Sequence, residues 1–168
     1  MTTTDDGELS LAEAFTREHH DIDAGIEEYL AAERGDGPRP APLLRAMSAL
    51  RRHIYLEEEV VFPHLPTRTL MMPLMVMRRE HGELWRRMDG LTERLGAPHD
   101  AADVGDAADV DAACGELLAL LEDHNTKEEP IVYPYMDSDL DEVERARVRD
   151  LLAGGAMPDG WVCEALRS

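Results

Sequence analysis

Aromatic side chains are scarce in this 168-residue chain, at 5% of the total, and basic ones are outnumbered. Seventeen Lys and Arg stand against 36 Asp and Glu, for a net charge of −19. That balance argues against nucleic acid and anionic membranes as partners, since both require clustered Lys and Arg. Long apolar runs are missing too. The longest, LMMPLMVM at 70–77, is far shorter than the ~20 residues that cross a bilayer. The opening MTTTDDGELS has no basic start followed by an apolar stretch, so no secretory signal is expected. Only two cysteines occur, Cys114 and Cys163, without metal-type spacing. Reduced thiols and a cytoplasmic location are the expectation. No segment alternates apolar and polar residues at strand period over a useful length.

What remains is helix-forming material: Ala, Leu, Glu, Arg and Met. The length suits a single domain with a good core. Residues 1–9 read as a loose leader. Ser10 with Glu13 forms a capping box, and a long helix should follow and end at Gly35. A second helix is expected over about 43–65, with Pro42 in its first turn. PTRTLMMP should break the chain before a third helix at about 73–95. HDAADVGDAAD reads as a surface loop containing His99, and a fourth helix should cover about 109–136, kinked at Pro130. DEVERARVRDLL makes a shorter fifth helix, ended by Gly154 and Gly155, and Trp161 in the tail should dock on the body. The expected fold is all-α, an up-down-up-down four-helix bundle over about 11–137, with a short C-terminal helix and tail over 138–168.

One phrase occurs twice. RRHIYLEEEVVFP runs from Arg51, and EDHNTKEEPIVYP from Glu122. His124, Glu128, Glu129 and Pro134 each lie 71 positions after His53, Glu57, Glu58 and Pro63. Helical period then decides which side chains face inward. On helix one, Phe15, His19, Ile22 and Ile26 share a face, while His20 lies with Arg17 and Asp23. On helix two the stripe is Leu50, His53, Glu57 and Val60. On helix three it is Leu74, Met77, His81, Leu84, Trp85 and Met88. On helix four it is Leu117, Leu120, Leu121, His124, Glu128 and Ile131. Each helix therefore offers one inward His, and helices two and four add a Glu one turn later.

A lone His on an apolar stripe is ordinarily a core imidazole bonded to a carbonyl. Four of them with two carboxylates are different. Burying each carboxylate costs several kcal/mol unless positive charge meets it, and no Lys or Arg lies on these faces near the acids. Metal ions would supply that charge. Imidazole and carboxylate without thiolate suit iron, manganese or zinc. Two ions sharing four His and two Glu would keep positions free for small molecules, unlike a closed structural zinc site. The Glu-x-x-His pattern of ferritin-like bundles is absent, as is H-E-x-x-H. Cys114, nearly three turns before His124, lies about 15 Å along the helix and is too distant to be a ligand.

The order H…HxxxE…H…HxxxE, one piece per helix, resembles the hemerythrin-like, HHE cation-binding family. The residues that carry the resemblance are EHHDI with His19, HIYLEEEVVFP with His53 and Glu57, EHGEL with His81, and HNTKEEPIVYP with His124 and Glu128. It implies a non-haem di-iron centre held by these six, with the two Glu as bridges. The oxygen-carrying hemerythrins have a second His one turn after the helix-three ligand, where this chain has Trp85. Their last acid lies five residues after the helix-four His, where this chain has Glu129 beside Glu128 at four. The pattern is similar to the four-His, two-Glu members. These include iron-sulfur repair proteins, an iron-sensing domain and actinobacterial proteins with peroxide chemistry.

The expected partners are O2, H2O2 or NO, with the chain a monomer or homodimer. Reaction with O2 or peroxide, including catalase-like H2O2 disproportionation, ranks ahead of a nitric-oxide or iron-sulfur-repair role, and of an iron or oxygen sensor. Tyr55, Tyr133 and Tyr135 have two readings, hydrogen-bond donors that reach the metal pocket or ordinary packing; period does not settle the choice, and packing ranks first. The Met-rich stretch is assigned to flexible core filling, with an apolar gate for O2 or peroxide as its sharper reading.

Overall fold

The computed structural model describes residues 8–32, 40–96 and 104–167; His99 and Gly35 lie outside them. Four long helices form the body: α1 Leu11–Ala31, α2 Ala41–Tyr55, α3 Thr67–Gly96 and α4 Val104–Ile131. Two shorter ones follow, α5 Pro134–Asp139 and α6 Glu142–Gly154, then a 3-10 turn at Glu164–Leu166. No strand occurs among the described residues, and no helix there is long and apolar enough to cross a membrane. Helix α1 packs on α2 and α4, and α3 on α4 and α2, the up-down-up-down bundle.

The helix starts are specified locally. Ser10 caps α1, its hydroxyl accepting from the Glu13 N–H at 3.1 Å while the Glu13 carboxylate accepts from the Ser10 N–H at 2.9 Å. The Asp137 carboxylate, from α5, accepts from the next two N–H groups, Leu11 and Ala12, at 2.8 and 3.1 Å. Those amides have no partner inside the helix, so α5 pins the start of α1. Asp141 and Glu144 form the same reciprocal box on α6.

Several boundaries differ from expectation. Helix α3 starts at Thr67 and runs through Pro73. A proline in the second turn forfeits one helical hydrogen bond, and burial of Leu70 and Leu74 on either side offsets it. Met71, Met72 and Met75 are exposed, so only part of that stretch fills core. Helix α4 starts at Val104, ahead of the expected 109, and stops at Ile131. After Tyr55 the second helix widens into a π-helical turn, Leu56–Val61, and then tightens into a 3-10 turn, Phe62–His64. The fourth widens at the same place in its phrase: both the Val132 and Tyr133 N–H groups reach the Glu128 carbonyl, at 2.8 and 3.3 Å.

The core is divided. One apolar cluster contains Ile22, Ile26, Leu50, Leu84, Leu117 and Leu121. The other contains Phe15, Leu56, Val60, Met77, Val132 and Tyr133. His19, His53, His81 and His124 fall between the members of the two clusters along their helices, forming a polar layer across the bundle.

Candidate metal centre

The sequence places all six expected residues on inward stripes, and the structure buries all six, Glu57, Glu128 and His81 completely. His20, one residue from His19, is exposed. The ligand atoms form two overlapping groups: His19, His53, Glu57 and Glu128, and then Glu57, His81, His124 and Glu128. Within each, one atom per residue lies within 4.8 Å of the others. Glu57 and Glu128 belong to both. Glu57 Oε1 is 2.7 Å from His53 Nε2, and its Oε2 is 3.1 Å from His81 Nε2. Glu128 Oε2 is 3.1 Å from His124 Nε2.

All four rings turn Nε2 toward this centre, and each Nδ1 meets a carboxylate from an adjacent helix. Glu129 on α4 holds His19 at 2.9 Å, and Glu18 on α1 holds His53 at 3.3 Å. Glu58 in the π turn holds His81 at 2.8 Å, and Glu80 on α3 holds His124 at 2.9 Å. Each long helix thus sends its His inward and its acid to the next helix's His, in a closed ring. Such partners fix ring orientation and tautomer and raise ligand basicity. This explains the doubled acids of the repeated phrase: the one at four residues goes inward, and the one at five supports a neighbour's imidazole. Sequence reasoning missed this ring. Its signal was present as REH at 17–19 and again at 79–81, together with the paired Glu in each phrase.

The supporting acids are anchored in turn. Glu58 accepts from the Glu164 N–H at 2.8 Å, which ties the C-terminal 3-10 turn to the centre. Gly82, beside His81, lets that turn approach: a Cβ there would stand 2.7 Å from the Ala165 Cβ. Trp161 docks as expected, its ring against Tyr55 and Trp85 and its Nε1 donating to Glu59 at 2.9 Å. Glu80 is held by Lys127 as well as His124.

The protons report how much positive charge the site wants. Burial opposes the charged form of His124, yet Glu128 and Glu80 outweigh it and raise its pKa to about 10. Burial likewise opposes charge on His53, but Glu57 and Glu18 raise it well above the ordinary value. His81 is raised against burial by Glu57 and Glu58. His19 is the exception, lowered by burial and by His53 beside it. Glu57 is held well below its usual range, against burial, by His53 and His81.

Within the centre, Glu57 Oε2, Glu128 Oε1 and His81 Nε2 are buried without a hydrogen bond. The first and third face each other as an ion pair at 3.1 Å whose geometry falls short of a well-formed hydrogen bond. An orphaned buried carboxylate oxygen is costly. Atoms without a full set of partners beside convergent imidazoles are the donor set that a divalent cation satisfies, so these residues could hold metal.

Of the two readings of Tyr133, the second-ranked one, a hydrogen-bond donor in the pocket, is what the structure shows: its hydroxyl stands inside the first group, 2.8 Å from His19 Nε2 and 2.7 Å from Glu57 Oε1. Burial, Glu128 and Glu57 raise its pKa well above 10. Ile131, expected on the inward stripe, is exposed; Val132 and Tyr133 take the inward direction instead. The widened turn after Glu128 changes the register there, which helical period alone could not foresee. Among the described residues His64 pairs with Glu144, away from the centre.

A family model described as hemerythrin HHE cation binding domain matches residues 10–136. No curated protein and no solved structure matches the chain.

Proposed function

Because the chain belongs to the hemerythrin HHE cation-binding family, we propose that it is a non-haem di-iron protein that binds or reacts with O2 or peroxide. The six residues assigned to the metals are His19, His53, Glu57, His81, His124 and Glu128. The observation that carries this reading is the pair of four-residue groups sharing both carboxylates. Glu57 and Glu128, which belong to both groups, would hold the metals together with the imidazoles, and that role would account for two fully buried acids among them. Bound there, paired iron supplies redox and Lewis-acid chemistry for small oxygen species; manganese and zinc compete for the same donors.

The chain's own contribution is orientation and exclusion of water. Apolar clusters on both sides of the polar layer keep the local dielectric low, so charges there interact strongly. The four supporting carboxylates hold the rings with Nε2 inward before any ion arrives. Neither half uses up its coordination positions on protein imidazole and carboxylate, which leaves room for O2, H2O2 or NO. Cys114 and Cys163 are buried and form no disulfide, in keeping with a reducing, cytoplasmic setting.

Metal analysis with an anaerobic-to-aerobic absorption spectrum tests the reading. Two irons per chain, a spectral change on admitting air, and O2 release from added H2O2 are expected. Protein supplied with iron that retains no stoichiometric metal overturns it. A nitrosyl spectrum without O2 release moves the assignment from peroxide to NO.

A further inference from the structure

The repeated phrase carries an aromatic nine residues after its His in both copies: Phe62 after His53 and Tyr133 after His124. The structure uses the two in the same way. Phe62 stacks on His81 with ring centroids 5.9 Å apart and planes at 10°, and Tyr133 stacks on His19 at 5.4 Å and 28°. Each covers an imidazole from the other helical pair. The difference is one oxygen.

That oxygen has four close polar neighbours. Tyr133 Oη lies 2.8 Å from His19 Nε2, 3.0 Å from His53 Nε2, 2.7 Å from Glu57 Oε1 and 3.3 Å from Glu128 Oε2. A phenol has one proton to give and cannot satisfy four partners by donation. The neighbours also approach each other: His19 Nε2 and His53 Nε2 are 3.0 Å apart, and His53 Nε2 and Glu57 Oε1 2.7 Å. Adjacent ligands of an octahedral ion with bonds of about 2.1 Å stand about 3 Å apart. These separations match the edges of one coordination polyhedron.

We propose that Tyr133 Oη is a ligand of the ion in the His19–His53 half, binding as phenolate with its proton released to solvent. This rests on the di-metal reading above. The first half then has five protein ligands. The second half, where Phe62 offers no oxygen and where Glu57 Oε2 and His81 Nε2 make no well-formed hydrogen bond, keeps four. In octahedral coordination that leaves one position beside the five and two beside the four, so the His81–His124 half is the more open to exogenous small ligands, and the choice between Phe and Tyr at one repeat position sets that difference.

The test uses the full chain, loaded with iron and oxidised in air. Iron content, resonance Raman spectra and azide titration are measured on the wild type, Tyr133→Phe and Phe62→Tyr. The wild type should show two irons and phenolate vibrations enhanced in a visible charge-transfer band. Tyr133→Phe should lose those vibrations and bind one more azide than the wild type, while Phe62→Tyr should bind one fewer. Two irons without phenolate vibrations in the wild type overturn this assignment and leave the di-metal reading intact. That arm needs no variant, so a misfolded substitution does not blunt it. A wild type that binds no iron overturns both.

Discussion

The two halves of the centre are written in nearly the same words and finished differently. In the His81–His124 half the supporting acid, Glu58, has a side chain only 2% exposed, sealed by the C-terminal turn. In the His19–His53 half the matching acid, Glu129, is 31% exposed. It lines an open cleft of about 570 Å³ with His20, Asp23, Glu27, Glu122 and Asn125. A repeat fixes which atoms face the centre, because helical period is local. It does not fix what lies behind them, because that depends on which later segment folds over each copy. Here the tail covers one copy and water reaches the other.

The largest expected effect tests whether the halves share anything. Glu57→Ala should empty both, whereas His53→Ala and His124→Ala should each lower metal content by about half or more, and His20→Ala should leave it unchanged. Metal content per chain measures all four. A Glu57→Ala protein that keeps one full ion would mean that the carboxylate is not shared. Equal losses from His20→Ala and none from His19→Ala would reverse the α1 register.

A difference in pH response comes next. A cation must displace protons from imidazoles whose metal-free pKa is raised. In the first half only His53 is raised, since His19 is lowered; in the second, His81 and His124 both are. Each displaced proton adds about one log unit of apparent affinity per pH unit. The second half should therefore lose two protons on binding, its rise with pH continuing past neutrality toward the His124 value of about 10, and the first half one from His53 and a second from Tyr133 when that hydroxyl binds as phenolate. Metal titrations at several pH values read the two slopes: equal slopes fit the Tyr133 phenolate, and a shallower first half means that Tyr133 keeps its proton. For the metal-free protein the sign is opposite. A raised His stabilises the fold fully below its unfolded value near 6.5 and loses that contribution as pH climbs through the folded one.

The supporting acids should separate by a smaller margin. Glu58→Gln and Glu129→Gln should each weaken metal binding about 10- to 100-fold, but only Glu58→Gln should also loosen the tail, seen as faster amide exchange over 161–167. Exchange there that is unaltered by Glu58→Gln would separate the tail from the centre.

The smallest effect lies in the open cleft. Burial, then Glu27, raises the Asp23 pKa from 3.8 to about 6, and its Oδ1 has no partner. A carboxyl raised on folding favours the fold when protonated and opposes it as pH rises through about 6. Asp23→Asn should then stabilise the protein by about 1 kcal/mol at pH 7, raising Tm by about 2–4 °C. The gain should vanish near pH 4, and thermal melts at the two values decide it.

Much of the site was legible because it sits in the middles of long helices. His19 was separated from His20, and Glu57 and Glu128 were picked out, by a period of 3.6 acting where packing does not bend the chain. The reading failed where the backbone departs from that period. Tyr133 lies past Pro130 and a turn in which two amides share one carbonyl, so its direction could not be counted from His124. The start of α3 is not legible because two flanking buried leucines keep the helix going through a proline that ordinarily stops one.

By itself, the sequence determined the helical class, the four inward imidazoles and the two buried acids, since spacing along one helix is enough to choose a face. Only the tertiary structure decided that Glu18, Glu58, Glu80 and Glu129 close a ring of supports, that the tail seals one half, and that a tyrosine hydroxyl enters the other. Those facts join atoms on different helices. Their distances are set by how the helices pack and by where their turns widen, and neither is written in the period of any single segment.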